Sequence, residues 1–265
     1  FVFSFVIVGW AMARFLPAES AKIGHAILSF FSLFPLLARI LTSVITKDKA
    51  AWMLRPQFRS HWRTYLLAAF VPGFLIFVGA VVYFPIFPSH LDVSAARLIE
   101  VYGSFGVPSD LPHTARSIVR IGLVGVIVSP FALPIALVAF GEESGWRGYL
   151  LPKMMQFMDE RSAVLLTGAL WGLCHAPRIY FGLNYGLNYA GAPYSGMLMM
   201  TLVCIALSVW LSYVTLKTNS IIPACILHGA INLIGEFPAL VSLDKTNVLV
   251  GPGPTGILGI SALLL

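Results

Sequence analysis

A few polar side chains stand where an apolar chain has no obvious use for them. Glu142 and Glu143 lie in the run Gly141-Glu142-Glu143-Ser144-Gly145-Trp146-Arg147-Gly148-Tyr149. His175 follows Trp171-Gly172-Leu173-Cys174. His228 and Asn232 are four apart in Leu227-His228-Gly229-Ala230-Ile231-Asn232. An ionisable residue near the centre of a membrane helix costs about 2.5–3.5 kcal/mol, so each one marks a partner or a task. Glu143 and Arg147 are spaced i,i+4, share a helix face and can neutralise one another. Glu142 points about 100° away from that pair and is free for other work.

One free carboxylate, two imidazoles and an amide are the parts needed to activate water. A carboxylate can take a proton from water as a general base. Two neutral imidazoles with a carboxylate can instead hold zinc and acidify its bound water. His228 and Asn232 can also donate hydrogen bonds to a developing oxyanion. The competing reading is structural: charges at a helix end, a hydrogen-bonded core histidine at 175, and an interhelical clamp at His228 and Asn232. Glu236 continues the His228 face less accurately and reads as a structural residue near the outer boundary. Arg39 reads as a helix-end or bundle partner. Gly168, Gly172 and Ala176 form a small-residue stripe that admits a close helix neighbour. Pro177 is a place for the helix to kink.

The elements that must position these residues follow from composition. The chain has 265 residues, 58% of them hydrophobic and 11% charged, and a mean hydropathy of +0.86. Ordinary soluble domains carry about 25% charged residues. The shortfall excludes a typical cytosolic enzyme, a disordered chain and a nucleic-acid binder. A net charge of +6 fits basic loops on the cytoplasmic face of a membrane. The expected fold is all-α: a polytopic membrane helix bundle forming a single integral membrane domain over 1–265. A span needs about 17–25 apolar residues. Eight segments approach this: 1–16, 23–45, 64–87, 117–141, 162–181, 195–216, 220–241 and 248–265, with both terminal helices read as truncated. Lys47, Lys49, Arg55, Arg59 and Arg63 against Asp48 place loop 46–63 in the cytoplasm. Alternation then places 88–116, 182–194 and 242–247 outside. Cys174, Cys204 and Cys225 lie in apolar stretches and read as buried thiols, not a disulfide framework.

Taken together, the three motifs resemble a known family. Glu142-Glu143-Ser144-Gly145-Trp146-Arg147 matches Glu-Glu-x-x-x-Arg. Trp171 to His175 matches Phe-x-x-x-His, with Trp for Phe. His228 to Asn232 matches His-x-x-x-Asn. In this order on successive membrane helices they resemble the CPBP intramembrane proteases, the CAAX prenyl proteases and bacteriocin-processing enzymes also called the Abi family. The matched core covers about 117–241. The resemblance implies an eight-helix bundle and an intramembrane endopeptidase that hydrolyses a peptide bond of a membrane-bound or lipidated protein or peptide. The prenylated CAAX type is the best-known substrate. It implies that Glu142 activates water with His175 as its partner. His228 and Asn232 would then hold the oxyanion, or His175, His228 and Glu142 a zinc ion. Glu143 and Arg147 would brace the motif helix. Trp171 is expected to change a wall of the site and not a chemical group. The expected location is the bacterial cytoplasmic membrane, with the site open toward the cytoplasm and no nucleic-acid partner.

Two other functions compete. The same polar cluster can serve structurally in a non-catalytic membrane immunity or partner-binding protein. A proton or ion pathway lined by Glu142, Glu143, His175 and His228 is disfavoured, because two halves with matching broken helices, the usual transporter pattern, are not evident.

Overall fold

The computed structural model describes residues 1–103, 114–243 and 247–264; the side chains of 18–21 are not described. The expected loops 88–116 and 242–247 therefore lie partly outside the described residues. The described chain is helical, apart from one isolated antiparallel bridge between Leu91 and Ser242. In chain order the helices are α1 (Val2–Phe15), α2 (Ala18–Ser29), α3 (Phe34–Thr46), α4 (Phe58–Ile86), α5 (Ala96–Tyr102), α6 (Ala115–Val128) and α7 (Leu133–Gly145). Then come α8 (Leu151–Met154), α9 (Glu160–Cys174), α10 (Ala176–Tyr180), α11 (Tyr194–Thr218), α12 (Ile222–Leu240) and α13 (Ile257–Ser261).

Among the described residues, three helices are long and apolar enough to cross a membrane: α4, α11 and α12. Two bent pairs, Lys22–Ser29 with Phe31–Thr46 and Ala115–Phe131 with Leu133–Met154, raise the number to five if each counts as one span. The count differs from the eight expected from hydropathy, and local chemistry explains where. Residues 1–16 form a helix of 14 residues, short of a full span. Within 162–181 the helix breaks at His175, because Pro177 has no N–H to give the carbonyl of Leu173. In 248–265 the Gly- and Pro-rich run Gly251-Pro252-Gly253-Pro254 leaves a helix of only five residues.

The outside of the bundle is apolar. Leu137 is 70% exposed and Leu198 63%, as surfaces facing lipid would be. The core collects Ile76, Leu211, Val214 and Leu227, all essentially buried. Helix α12 packs on α4 and α7, and α9 packs along α11. The small-residue stripe makes the second contact possible. A Cβ on Gly172 would lie 2.5 Å from the Thr201 Cα, and one on Gly168 2.7 Å from the Ile205 Cα. The three cysteines are free and buried, as read from the sequence.

Candidate active site

The Glu-Glu motif closes α7 and runs into a π-helical turn, Trp146–Leu150. Such turns re-aim side chains and recur at functional sites. From Glu142 to Gly148 every residue is buried. Helix α7 is held against the turn before α3 and against α3 itself. Arg39, 2% exposed, ties that packing together. Its Nη1 donates to the Ser144 carbonyl at 3.0 Å and its Nη2 to the Ala51 carbonyl at 2.8 Å. Its guanidinium stacks 3.9 Å from the centre of the Trp52 ring. Arg39 is thus the bundle partner of the two alternatives, clamping the loop after α3 to the motif helix.

The two glutamates diverge as helix geometry dictates. Glu143 Oε1 accepts from Arg147 Nη1 at 3.1 Å and from His228 Nδ1 at 2.8 Å, with Glu143 and Arg147 fully buried. Arg147 also lies 4.5 Å over the Trp171 ring. Glu142 takes no part in this cluster. Its Oε2 accepts from the indole Nε1 of Trp171 at 2.6 Å. A charge-assisted bond this short fixes the orientation of the carboxylate.

The Trp171 contact corrects one expectation. Tryptophan in place of the family's phenylalanine does alter a chemical group at the site, because a phenyl ring has no N–H to donate. Trp171 also stands edge-on to His228, with ring centres 5.3 Å apart. Its own carbonyl accepts from His175 Nδ1 at 2.9 Å. A carbonyl can only accept, so the proton of a neutral His175 sits on Nδ1 and Nε2 carries the lone pair. For His228, the Glu143 carboxylate draws the Nδ1 proton in the same way and leaves Nε2 unused by that bond.

Glu142, Trp171, His175, His228 and Asn232 all line one cavity of about 650 Å³. Asn232 is exposed within it, whereas Glu142, His175 and His228 are each at most 9% exposed. Glu143 and Arg147 are not among its lining residues. Glu236, read as structural from its spacing, lines the same cavity. Residues from α7, from α9 and its C-terminal end, and from α12 therefore converge.

Among the lining residues that the sequence pattern did not single out are Ser32 and Arg178. Ser32, in the 3-10 turn Phe31–Leu33, is a hydrogen-bonding neighbour of Glu142. A serine in an apolar run gives no local signal. Arg178, on α10, also lines the cavity. It was detectable as a cation inside the 162–181 segment, by the same rule that singled out His175.

Both imidazoles are oriented through Nδ1, an arrangement that also suits metal ligands. A zinc site needs three protein ligands at bonding distance. Among the described residues, no group of three or more His, Cys, Asp or Glu side chains is placed to hold a metal ion. The donor types suit zinc, but their placement does not.

Comparison with known proteins agrees with the motifs. Residues 123–234 match the family model described as Rce1-like, type II CAAX prenyl endopeptidase. Within curated proteins, CAAX prenyl protease 2 of Methanococcus maripaludis is 30% identical over 117 residues, 44% of this chain. That match spans 43% of the relative's length, less than half of it. The matched stretch contains Glu142, Glu143, Arg147, Trp171, His175, His228 and Asn232. With its membrane-length apolar helices, the chain is an integral membrane protein, and its segment 123–234 is similar to the Rce1-like CAAX prenyl endopeptidases.

Proposed function

We propose that the protein is an intramembrane endopeptidase that hydrolyses a peptide bond of a membrane-associated protein or peptide, with 117–241 as the catalytic core of one membrane domain. The observation that carries this reading is the convergence of Glu142, His175, His228 and Asn232 on one cavity. In the proposed reaction a water molecule lies between the Glu142 carboxylate and Nε2 of His175. His175 accepts one hydrogen bond from it and Glu142 takes its other proton, so that the oxygen attacks the substrate carbonyl. Asn232 donates its amide N–H to the oxyanion. His228 joins it when protonated on both nitrogens, with Nδ1 on Glu143 and Nε2–H on the oxyanion. Glu142 then passes the proton to the departing amine, and the peptide bond breaks.

Trp171, Glu143 and Arg147 act as positioning residues. Trp171 aims Glu142, and the Glu143–Arg147 pair aims His228. The placement of the donors favours this glutamate mechanism over a zinc mechanism. By analogy with the printed name of the relative, a prenylated CAAX peptide is the first substrate to try. The proposed site opens toward the cytoplasm, the side assigned to the basic loop 46–63.

The test is Glu142→Gln in purified, detergent-solubilised protein. Cleavage of a farnesylated CAAX peptide should fall about 10²–10⁴-fold, the usual contribution of a positioned base, with thermal unfolding unchanged. Retained cleavage would remove Glu142 from the mechanism. Retained activity after exhaustive chelation is expected, and zinc-restored activity would favour the metal alternative.

A further inference from the structure

A second cavity lies away from the site described above, where two membrane-length helices meet. Helix α4 begins there and α11 ends there. The cavity measures about 330 Å³ and is lined by Ser60, His61, Trp62, Arg63, Thr64 and Lys217. Helix α4 is kinked at this point, because His61 has a non-helical backbone, with φ −129° and ψ 26°. Among the described residues, no acid lines the cavity, and neither Arg63 nor Lys217 forms an ion pair. The Arg63 guanidinium lies 5.4 Å from the centre of the Trp62 ring. Asp48, the acid of the adjoining loop, is taken by Lys153 and Tyr149. Ser60, hydrogen-bonded to His61 Nδ1 at 3.0 Å, and Thr64 bring hydroxyls beside the two cations.

Two unpaired cations around a concave site attract an anion, and a guanidinium offers paired N–H groups to phosphate oxygens. The surroundings narrow the choice of anion. Trp62 and Phe58 are exposed beside the cations, as aromatic residues at a membrane interface are. Leu66 follows Arg63 by three residues on α4, and Tyr213 precedes Lys217 by four on α11. Each therefore lies one turn further into its span on the same helix face, and both are exposed. Cations at the rim, aromatic rings beside them and an apolar surface one turn deeper match the order of phosphate, interface and acyl chain in a phospholipid. A soluble phosphate would use only the first layer, whereas a lipid uses all three. The adjoining basic loop 46–63 marks the same end of the bundle as cytoplasmic, where a leaflet carries anionic lipid.

We propose that this cavity binds the phosphate of an anionic phospholipid between Arg63 and Lys217, with an acyl chain along Leu66 and Tyr213. Such a site is independent of the endopeptidase reading.

The experiment uses the purified protein in detergent at about 0.15 M salt, where exposed charges more than about 8 Å apart are largely screened. Binding of phosphatidylglycerol and of phosphatidylcholine with the same acyl chains is measured by native mass spectrometry. Glycerol phosphate and inorganic phosphate serve as competitors. Phosphatidylglycerol should bind about thirtyfold tighter than phosphatidylcholine, the scale of two cation contacts at a membrane surface. Arg63→Gln with Lys217→Gln should remove that preference and leave phosphatidylcholine binding unaltered, and Arg63→Lys should keep most of it. Arg55→Gln with Arg59→Gln takes the same charge from the neighbouring chain outside the cavity lining and should leave the preference nearly intact. Equal binding of the two lipids overturns the proposal. So does an equal loss in the two double variants, since that is diffuse attraction to a basic surface. Displacement of the lipid by inorganic phosphate at comparable concentration keeps the anion site but overturns its assignment to a lipid. Should the double variant fail to fold, Lys217→Gln alone is expected to weaken the preference about fivefold, and an unchanged preference overturns the proposal.

Discussion

Glu142 and Glu143 are adjacent in the chain and occupy opposite kinds of environment. Glu143 lies in a sealed layer. One of its oxygens takes hydrogen bonds from both Arg147 and His228, and neither Glu143 nor Arg147 is exposed. Glu142 lies on the cavity wall and is held by Trp171 and Ser32. The arginines repeat the contrast, with Arg147 paired inside and Arg178 unpaired at the cavity. A buried charge held by an ion pair inside the bundle serves rigidity, because removing or shifting its partner is penalised. A charge with an unused valence facing a cavity is available to a substrate. On the proposed mechanism, the sealed layer orients and the open layer acts.

Substitutions can separate the two layers. The largest effect is expected at Glu142, where Gln should abolish turnover without lowering stability. Glu143→Met should show the reverse pattern. It strands Arg147 and His228 together, and losing one partner of a buried pair costs about 3–5 kcal/mol. Chemical unfolding in detergent would measure this. Arg147→Met should cost less, since Glu143 keeps His228 as a partner. Equal stability losses at Glu142 and Glu143 would break the comparison.

Trp171→Phe sharpens it at the junction of the layers. The ring packing survives, but the N–H donated to Glu142 is gone. Turnover should fall about tenfold, the scale of a hydrogen bond to a charged group, with unfolding nearly unchanged and the pH–rate profile displaced. A loss of stability in place of activity would make Trp171 merely a wall.

The smallest effect is expected away from both layers, at Asp48 in the loop after α3. Its hydrogen bonds to Lys153, chiefly, and to Tyr149 hold its carboxyl below the ordinary aspartate range. A depressed carboxyl stabilises the fold above its unfolded pKa, about 3.9, and loses that contribution as pH falls through the lower folded value. Asp48→Asn should therefore flatten the stability profile slightly below about pH 4 and change little at neutrality, because the site is solvent-screened. A clear stability loss at pH 7 would give this exposed contact a weight like that of the buried layer.

Much of the site was legible along single helices. The i,i+4 rule alone pairs Glu143 with Arg147 and excludes Glu142, and the glycine stripe foretells the approach of α9 to α11. Span counting did less well. Hydropathy registers an apolar run without registering that proline and glycine end its helix, as at His175 and after Gly251. The residue types also misled at Trp171, since the direction of its N–H depends on what faces it.

The sequence by itself determined that this is a helical membrane protein with three polar clusters and one internally neutralised charge pair. Those features depend on composition and on the 3.6-residue period, which act within one element. Only the tertiary structure decided that His228 meets Glu143, 85 residues away, and that Trp171 meets Glu142, 29 residues away. It also decided that Arg178 shares their cavity. Such contacts depend on how helices cross and on which residues let them approach, and no period along one chain segment encodes the position of another.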